Sequence, residues 1–330
     1  MTGDSFLCGP IRVRIGSDPH GSVRFLRGAL DLFGAPWDKL GAEVELHLCR
    51  PEAITLPTGS VYFDSLRMRV ESIPQGLAAR CDSGANALFD SAAGRWQVGI
   101  PTTSDDIWTR TDLENLMSLV VTTGWRSLGW TPFHAGLVCR RGEPTYGPAA
   151  MLCAPSGGGK TTLTLALLRR GWSTLGDDKL LVRHGPDGME ARALVHTFNL
   201  FPHTRKWFPE LGEISHLPKY SAWTDKRRVP IARLRPDAPL TRARPSHLIE
   251  VVRTDDHGGI KLAPMARGQV LSLLMRQTVI PRHHPTARAI LATVAELAGM
   301  LTGFHLEVGK DAYLQPDCLA ELESALGLPA

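Results

Sequence analysis

No stretch of the 330-residue sequence reaches the roughly 18 consecutive apolar residues that a membrane-spanning helix needs, so no membrane partner is expected. Residues 1–14 place Asp4 before a very short apolar patch and lack a basic-then-apolar targeting pattern, which predicts a cytoplasmic protein. The six cysteines, at positions 8, 49, 81, 139, 153 and 318, form no CxxC pair and no framework spacing. They are expected to be reduced and mostly buried, which disfavours disulfide-rich, metal-cluster and secreted classes. There is no internal repeat and no low-complexity tract. Lysine is scarce, only 8 of 37 basic residues, and the net charge of +4 is too small to announce a nucleic-acid binder.

What is present is ordinary for a folded chain: 43% hydrophobic and 21% charged residues, at a length that predicts two domains. Charge divides unevenly. Residues 1–130 hold 12 basic and 15 acidic residues, whereas 131–330 hold 25 and 18. Most of the excess lies in 201–253, with 11 basic residues against 5 acidic.

The first part reads as β-rich. Glu43–Leu48, Leu66–Val70 and Arg95–Val98 alternate with period two, and turn residues such as Pro57-Thr58-Gly59 and Asp82-Ser83-Gly84 separate the runs. Thr111 and Glu114 have capping-box spacing ahead of a stripe of Leu113, Leu116, Met117, Val120 and Val121, predicting a helix that starts at Thr111. The domain boundary is placed beside it: residues 1–104 as a smaller β-rich domain of open role, 105–330 as an α/β catalytic domain. In the second part, Phe133–Cys139, Ala149–Cys153, Trp172–Leu175 and His247–Val252 read as strands. Thr161–Arg170, Gln269–Met275 and Thr286–Leu301 read as helices.

Between Ala149–Cys153 and the helix after it lies Ala154-Pro155-Ser156-Gly157-Gly158-Gly159-Lys160-Thr161, the phosphate-loop pattern with alanine in place of its first glycine. Consecutive glycines let backbone N–H groups wrap phosphate oxygens, and the helix aims its positive end at them. Pro155 to Thr162 are the expected nucleotide-binding residues, with Lys160 reaching the β- and γ-phosphates and the Thr161 hydroxyl placed for Mg²⁺. Asp177 and Asp178 follow Lys160 by 17 and 18 residues, room for one helix and one short strand. They are expected at the C-terminal end of a neighbouring strand, where open α/β sheets bind ligands. One carboxylate can hold Mg²⁺ while the other takes a proton from an attacking hydroxyl. A carboxylate on the next strand is the arrangement expected of a kinase.

Weaker features complete the reading. Lys226-Arg227-Arg228 could place Arg227 and Arg228 on a transferred phosphate or an acidic substrate, or could be a solvated charge run. Trp207, Phe208, Tyr220 and Trp223 interleave with cations, but no recognised module frames them, so a nucleic-acid partner is not favoured. Asp255-Asp256-His257-Gly258-Gly259 reads as a hairpin turn, and His283-His284 as a loop.

Taken together, His134-Ala135-Gly136-Leu137-Val138, Ala154 to Thr162, Leu167 to Trp172 and Leu175-Gly176-Asp177-Asp178 resemble the catalytic domain of HPr kinase/phosphorylase, closely over residues 134–178. The resemblance implies a P-loop kinase domain of the HPr kinase and phosphoenolpyruvate carboxykinase fold. It further implies ATP and Mg²⁺, with phosphoryl transfer to a serine-type hydroxyl. It carries over His134 beside the phosphoryl group, Asp177 as general base and Asp178, with Thr161, on the metal side; His134, Lys160, Asp177 and Asp178 are thus the catalytic candidates. The Glu-Ile-Arg-Gly-Leu-Gly signature of the bifunctional family is missing; Val195–Pro202 stands in its place, so the phosphorylase activity is not expected. The comparison leans to HPr-kinase-related proteins encoded beside peptide natural-product genes. The acceptor stays open between a peptide, a protein and a small molecule, and a homo-oligomer stays open too. A shikimate- or nucleotide-kinase-type enzyme and a nucleotide-gated peptide- or RNA-binding protein are the alternatives.

Overall fold

A computed structural model describes residues 4–34, 37, 40–102, 106–140, 148–155, 157–221, 224–255, 258–313 and 316–326; Ser156, Trp223, Asp256 and His257 lie outside them. The architecture is mixed α/β, and its contacts divide the chain into Met1–Trp130 with Ile280–Ile290, and Thr131–Val279 with Leu291–Ala330. Among the described residues, no helix is long and apolar enough to cross a membrane.

In the first unit, period-two alternation builds an eight-stranded sheet. Ser5–Cys8, Ile11–Ser17, Ala42–Cys49 and Arg95–Gly99 lead into the antiparallel meander Asn86–Asp90, Gly76–Cys81, Met68–Ile73 and Ser60–Asp64. Val44, Leu46 and Leu48 point inward from one strand, as their spacing predicts. Leu66 falls in the turn before Met68–Ile73 and is 99% exposed, so that strand starts later than its pattern predicts.

The long helix also differs from expectation. It spans Ile107–Ser127 and is capped by Asp106, whose carboxylate accepts from the N–H groups of Trp108 and Thr109, both at 3.0 Å. Thr111 sits one turn inside, its hydroxyl donating to Ile107 O. An ionised cap so placed outcompetes a threonine one turn later. The predicted stripe from Leu113 to Val121 is buried. It packs on the first sheet, where Trp125 Nε1 donates to Cys8 O at 2.8 Å, so the chain divides after this helix and not at residue 104.

The second unit is built on a forked nine-stranded sheet. Its common element is Arg242–Thr254, longer than the predicted His247–Val252. One branch runs Trp172–Gly176, Gly136–Arg140, Pro148–Cys153, Arg242–Thr254, Thr302–Gly309 and Ile260–Pro264. The other runs from Arg242–Thr254 through Gly188–Ala193 and Leu180–Gly185 to Thr131–Phe133. The predicted single strand Phe133–Cys139 is therefore two, broken at His134-Ala135, because its ends belong to different branches. Ile260–Pro264 pairs with Thr302–Gly309, which lies between it and Arg242–Thr254 in the sheet; the turn predicted at 255–259 includes Asp256 and His257, outside the described residues. Helix Lys160–Arg169 lays Leu163 and Leu167 on a core with Ala150, Leu152, Ile249, Val251, Leu306 and Val308. It stops at Gly171, whose φ of +91° reverses the chain into Trp172–Gly176.

Candidate phosphate-binding site

Strand Pro148–Cys153 delivers the chain into the glycine turn at the C-terminal edge of the sheet. Gly157 and Gly159 take φ of +78° and +101°, a region closed to most side chains. A Cβ on Gly158 would stand 2.9 Å from Ala154 Cβ, so the turn closes on itself only with glycine there. Ala154, buried under it, fills the place of the pattern's first glycine without strain. Gly159 is the N-cap of the following helix and brings no side chain to the first-turn N–H groups. Those groups are left to face an anion.

Thr161, in the first turn, donates its hydroxyl to Asp177 Oδ2. Asp177 comes from the end of Trp172–Gly176, which runs in the direction of the phosphate-loop strand but is separated from it by antiparallel Gly136–Arg140. The aspartates thus stand one strand farther away than a next-strand arrangement. Gly136 closes this distance: a Cβ there would lie 2.9 Å from Asp177 Cα. Asp177 is 3% exposed, and its Oδ1 is buried with no hydrogen-bond partner among the described residues. Burial, and then the charge of Asp178, push its pKa from 3.8 up to about 7, against the Thr161 hydrogen bond and Lys160.

Asp178 is more open. Its Oδ1 lies 3.2 Å from His134 Nδ1 and 3.9 Å from Lys160 Nζ. His134 occupies the break between the two strands, held by its backbone N–H on Gln277 O at 2.7 Å. Crowding around its ring, with Lys160 and Lys179, lowers its pKa below the usual value despite Asp178. Lys160 is buried, and among the described residues its ammonium makes only a long 3.4 Å contact to Ala154 O besides Asp178. His134, Lys160, Thr161, Asp177 and Asp178 therefore form one cluster. The pair that touches is Thr161 and Asp177, however, not the Thr161 and Asp178 expected to share a metal.

Pro155 and Gly157 are exposed, and Thr162 half-buried, along the same loop and first turn. Arg227 and Arg228 lie on Arg227–Pro230, paired with Thr197–Leu200. The Arg227 guanidinium is engaged by Leu217 O at 3.2 Å, and Arg228 N–H by Pro218 O. These contacts hold both on that short ribbon. Phe208 is fully buried beneath Arg169 and belongs to the core.

One residue had no signal in the sequence. The Tyr313 hydroxyl is buried without a hydrogen-bond partner among the described residues, 2.9 Å from where a Cβ on Gly159 would be, and burial raises its pKa to about 12. Nothing local to residue 313 marks it; only the fold brings it under the loop.

No protein-family model matches the chain, and no curated protein matches it.

Proposed function

We propose that the protein is an ATP-dependent kinase that transfers the γ-phosphoryl group to a serine-type hydroxyl of a peptide, protein or small molecule, without phosphorylase activity. The fold this reading implies is that of HPr kinase and phosphoenolpyruvate carboxykinase. The observation that carries it is Asp177. A buried carboxylate with one oxygen on the phosphate-loop threonine and the other without a partner among the described residues suits a cation that accompanies phosphate oxygens bound at the uncapped helix N-terminus.

The residues present fit Mg²⁺, which binds through one or two carboxylates plus substrate phosphates and needs no dedicated cage. Asp177 and Thr161 would hold it, and when bound it offsets charge on the β- and γ-phosphates. The first-turn N–H groups bind phosphate oxygens, and Lys160 leaves its weak contact with Ala154 O to meet them. Asp178, the more accessible carboxylate, takes the proton of the acceptor hydroxyl. His134 positions it through the Nδ1 contact. This division gives Asp177 the metal and Asp178 the proton, the reverse of the assignment carried by resemblance.

Titration with a fluorescent ATP analogue, alongside transfer of labelled γ-phosphate to serine peptides and small alcohols, tests the reading. Lys160→Ala should lose both nucleotide binding and transfer. Asp178→Asn should keep nucleotide binding and lose about a hundredfold or more in transfer, the usual worth of a general base. Undiminished transfer by Asp178→Asn would overturn the assignment, and absence of nucleotide binding by the unmodified protein would overturn the function.

A further inference from the structure

A line of aromatic and cationic side chains leaves the Asp178 site across the surface of the second unit. Lys179, the next residue, holds its ammonium 5.9 Å from the Tyr220 ring. Tyr220 N–H donates to Lys226 O at 2.8 Å, and Lys226 Nζ lies 5.4 Å from the Phe201 ring. Phe201 stacks on His203 at 5.2 Å and 12°, and His203 meets Trp207 edge-on at 6.2 Å. Phe201 and Trp207 are 38% and 41% exposed, an open aromatic face where a core would hide them.

Charge decides what this face takes. Its three carboxylates are already paired: Glu210 with Arg169, Glu213 with Arg205 and Asp225 with Lys219. Among the described residues, Lys206 and Lys226 meet no carboxylate. Two such cations are few for a nucleic-acid strand, which presents a phosphate at every nucleotide. They match a peptide carrying one or two carboxylates, whose aromatic or aliphatic side chains would lie on Phe201 and Trp207.

We propose that this strip docks an acidic segment of a peptide and delivers the adjoining serine to Asp178. The serine's destination rests on the kinase reading; the docking does not.

Fluorescence anisotropy of the full chain without nucleotide tests it. The probes are a labelled serine peptide with neighbouring glutamates, the same peptide with glutamines, and a labelled oligouridylate. The glutamate peptide should bind tightest. Trp207→Ala and Lys226→Ala should each weaken it about tenfold, as expected for loss of one anchor, and leave ATP-analogue binding unchanged. Equal binding of the two peptides, or full affinity in both variants, would overturn the proposal. Tighter binding of the oligouridylate with a steep salt dependence would overturn it in favour of RNA. Glutamate-selective binding by a protein that neither binds nor uses ATP would support the strip and sink only the kinase reading.

Discussion

Asp177 carries its proton at a pH where other carboxylates have lost theirs, and this links the site to stability. Burial keeps its pKa in the folded chain, about 7, above the ordinary 3.8, so the folded state holds the proton more tightly than the unfolded one. The contribution is complete at pH below 3.8 and is lost as pH rises through about 7. Asp177→Asn, which cannot ionise, should therefore gain stability over the unmodified protein as pH rises through this window; denaturant titrations of both across it check the sign. By the same linkage, Mg²⁺-dependent binding of the ATP analogue should tighten over that window, because the ion competes with the proton. At this scale the sequence was legible where the chemistry is local: glycines, Lys160 and Thr161 lie within one turn of each other. Which aspartate meets Thr161 was not, because that depends on the direction in which Trp172–Gly176 leaves its two last side chains.

The elements that aim these groups are short and tightly seated. Gly136 lets the break carrying His134 lie against the backbone of Asp177, and a methyl group there would meet backbone atoms at 2.9–3.2 Å. Gly136→Ala should cost about 1–3 kcal/mol, as overpacking does. It should also reduce transfer by displacing Asp177, which melting curves and the transfer assay would read together. The helix after the phosphate loop was legible to within a residue, because its start and stop are both glycines. The long helix was misplaced by one turn, because Asp106 and Thr111 both offer caps and only geometry chooses. The break at His134 was invisible, because both halves have strand composition and the pairing that separates them is remote.

Over the whole molecule, the chain division was only partly legible: the change in composition marks two parts, but nothing near residues 280–290 says that they return to the first. There Arg282 N–H donates to Tyr62 O at 2.7 Å, a pairing no local pattern announces. The first unit has its own buried charge. Asp112, fully buried, accepts from Arg67 at 2.8 and 2.9 Å and from Ser83 N–H at 3.0 Å. Asp112→Ala should lower stability by about 3 kcal/mol, since it strands the guanidinium and an N–H, yet leave the affinity for the ATP analogue unchanged below the transition. Calorimetry with nucleotide titration would show both.

The forked sheet sets an order of events during synthesis and refolding. The phosphate-loop strand Pro148–Cys153 has a partner on one side only once Arg242–Thr254 has been made, and Gly159 meets Tyr313 only after Thr302–Gly309 is in place. Pairings across such separations form late. A nucleotide that recognises the finished loop should then slow unfolding and leave the refolding rate unchanged, because it has nothing to bind until the last strands have docked.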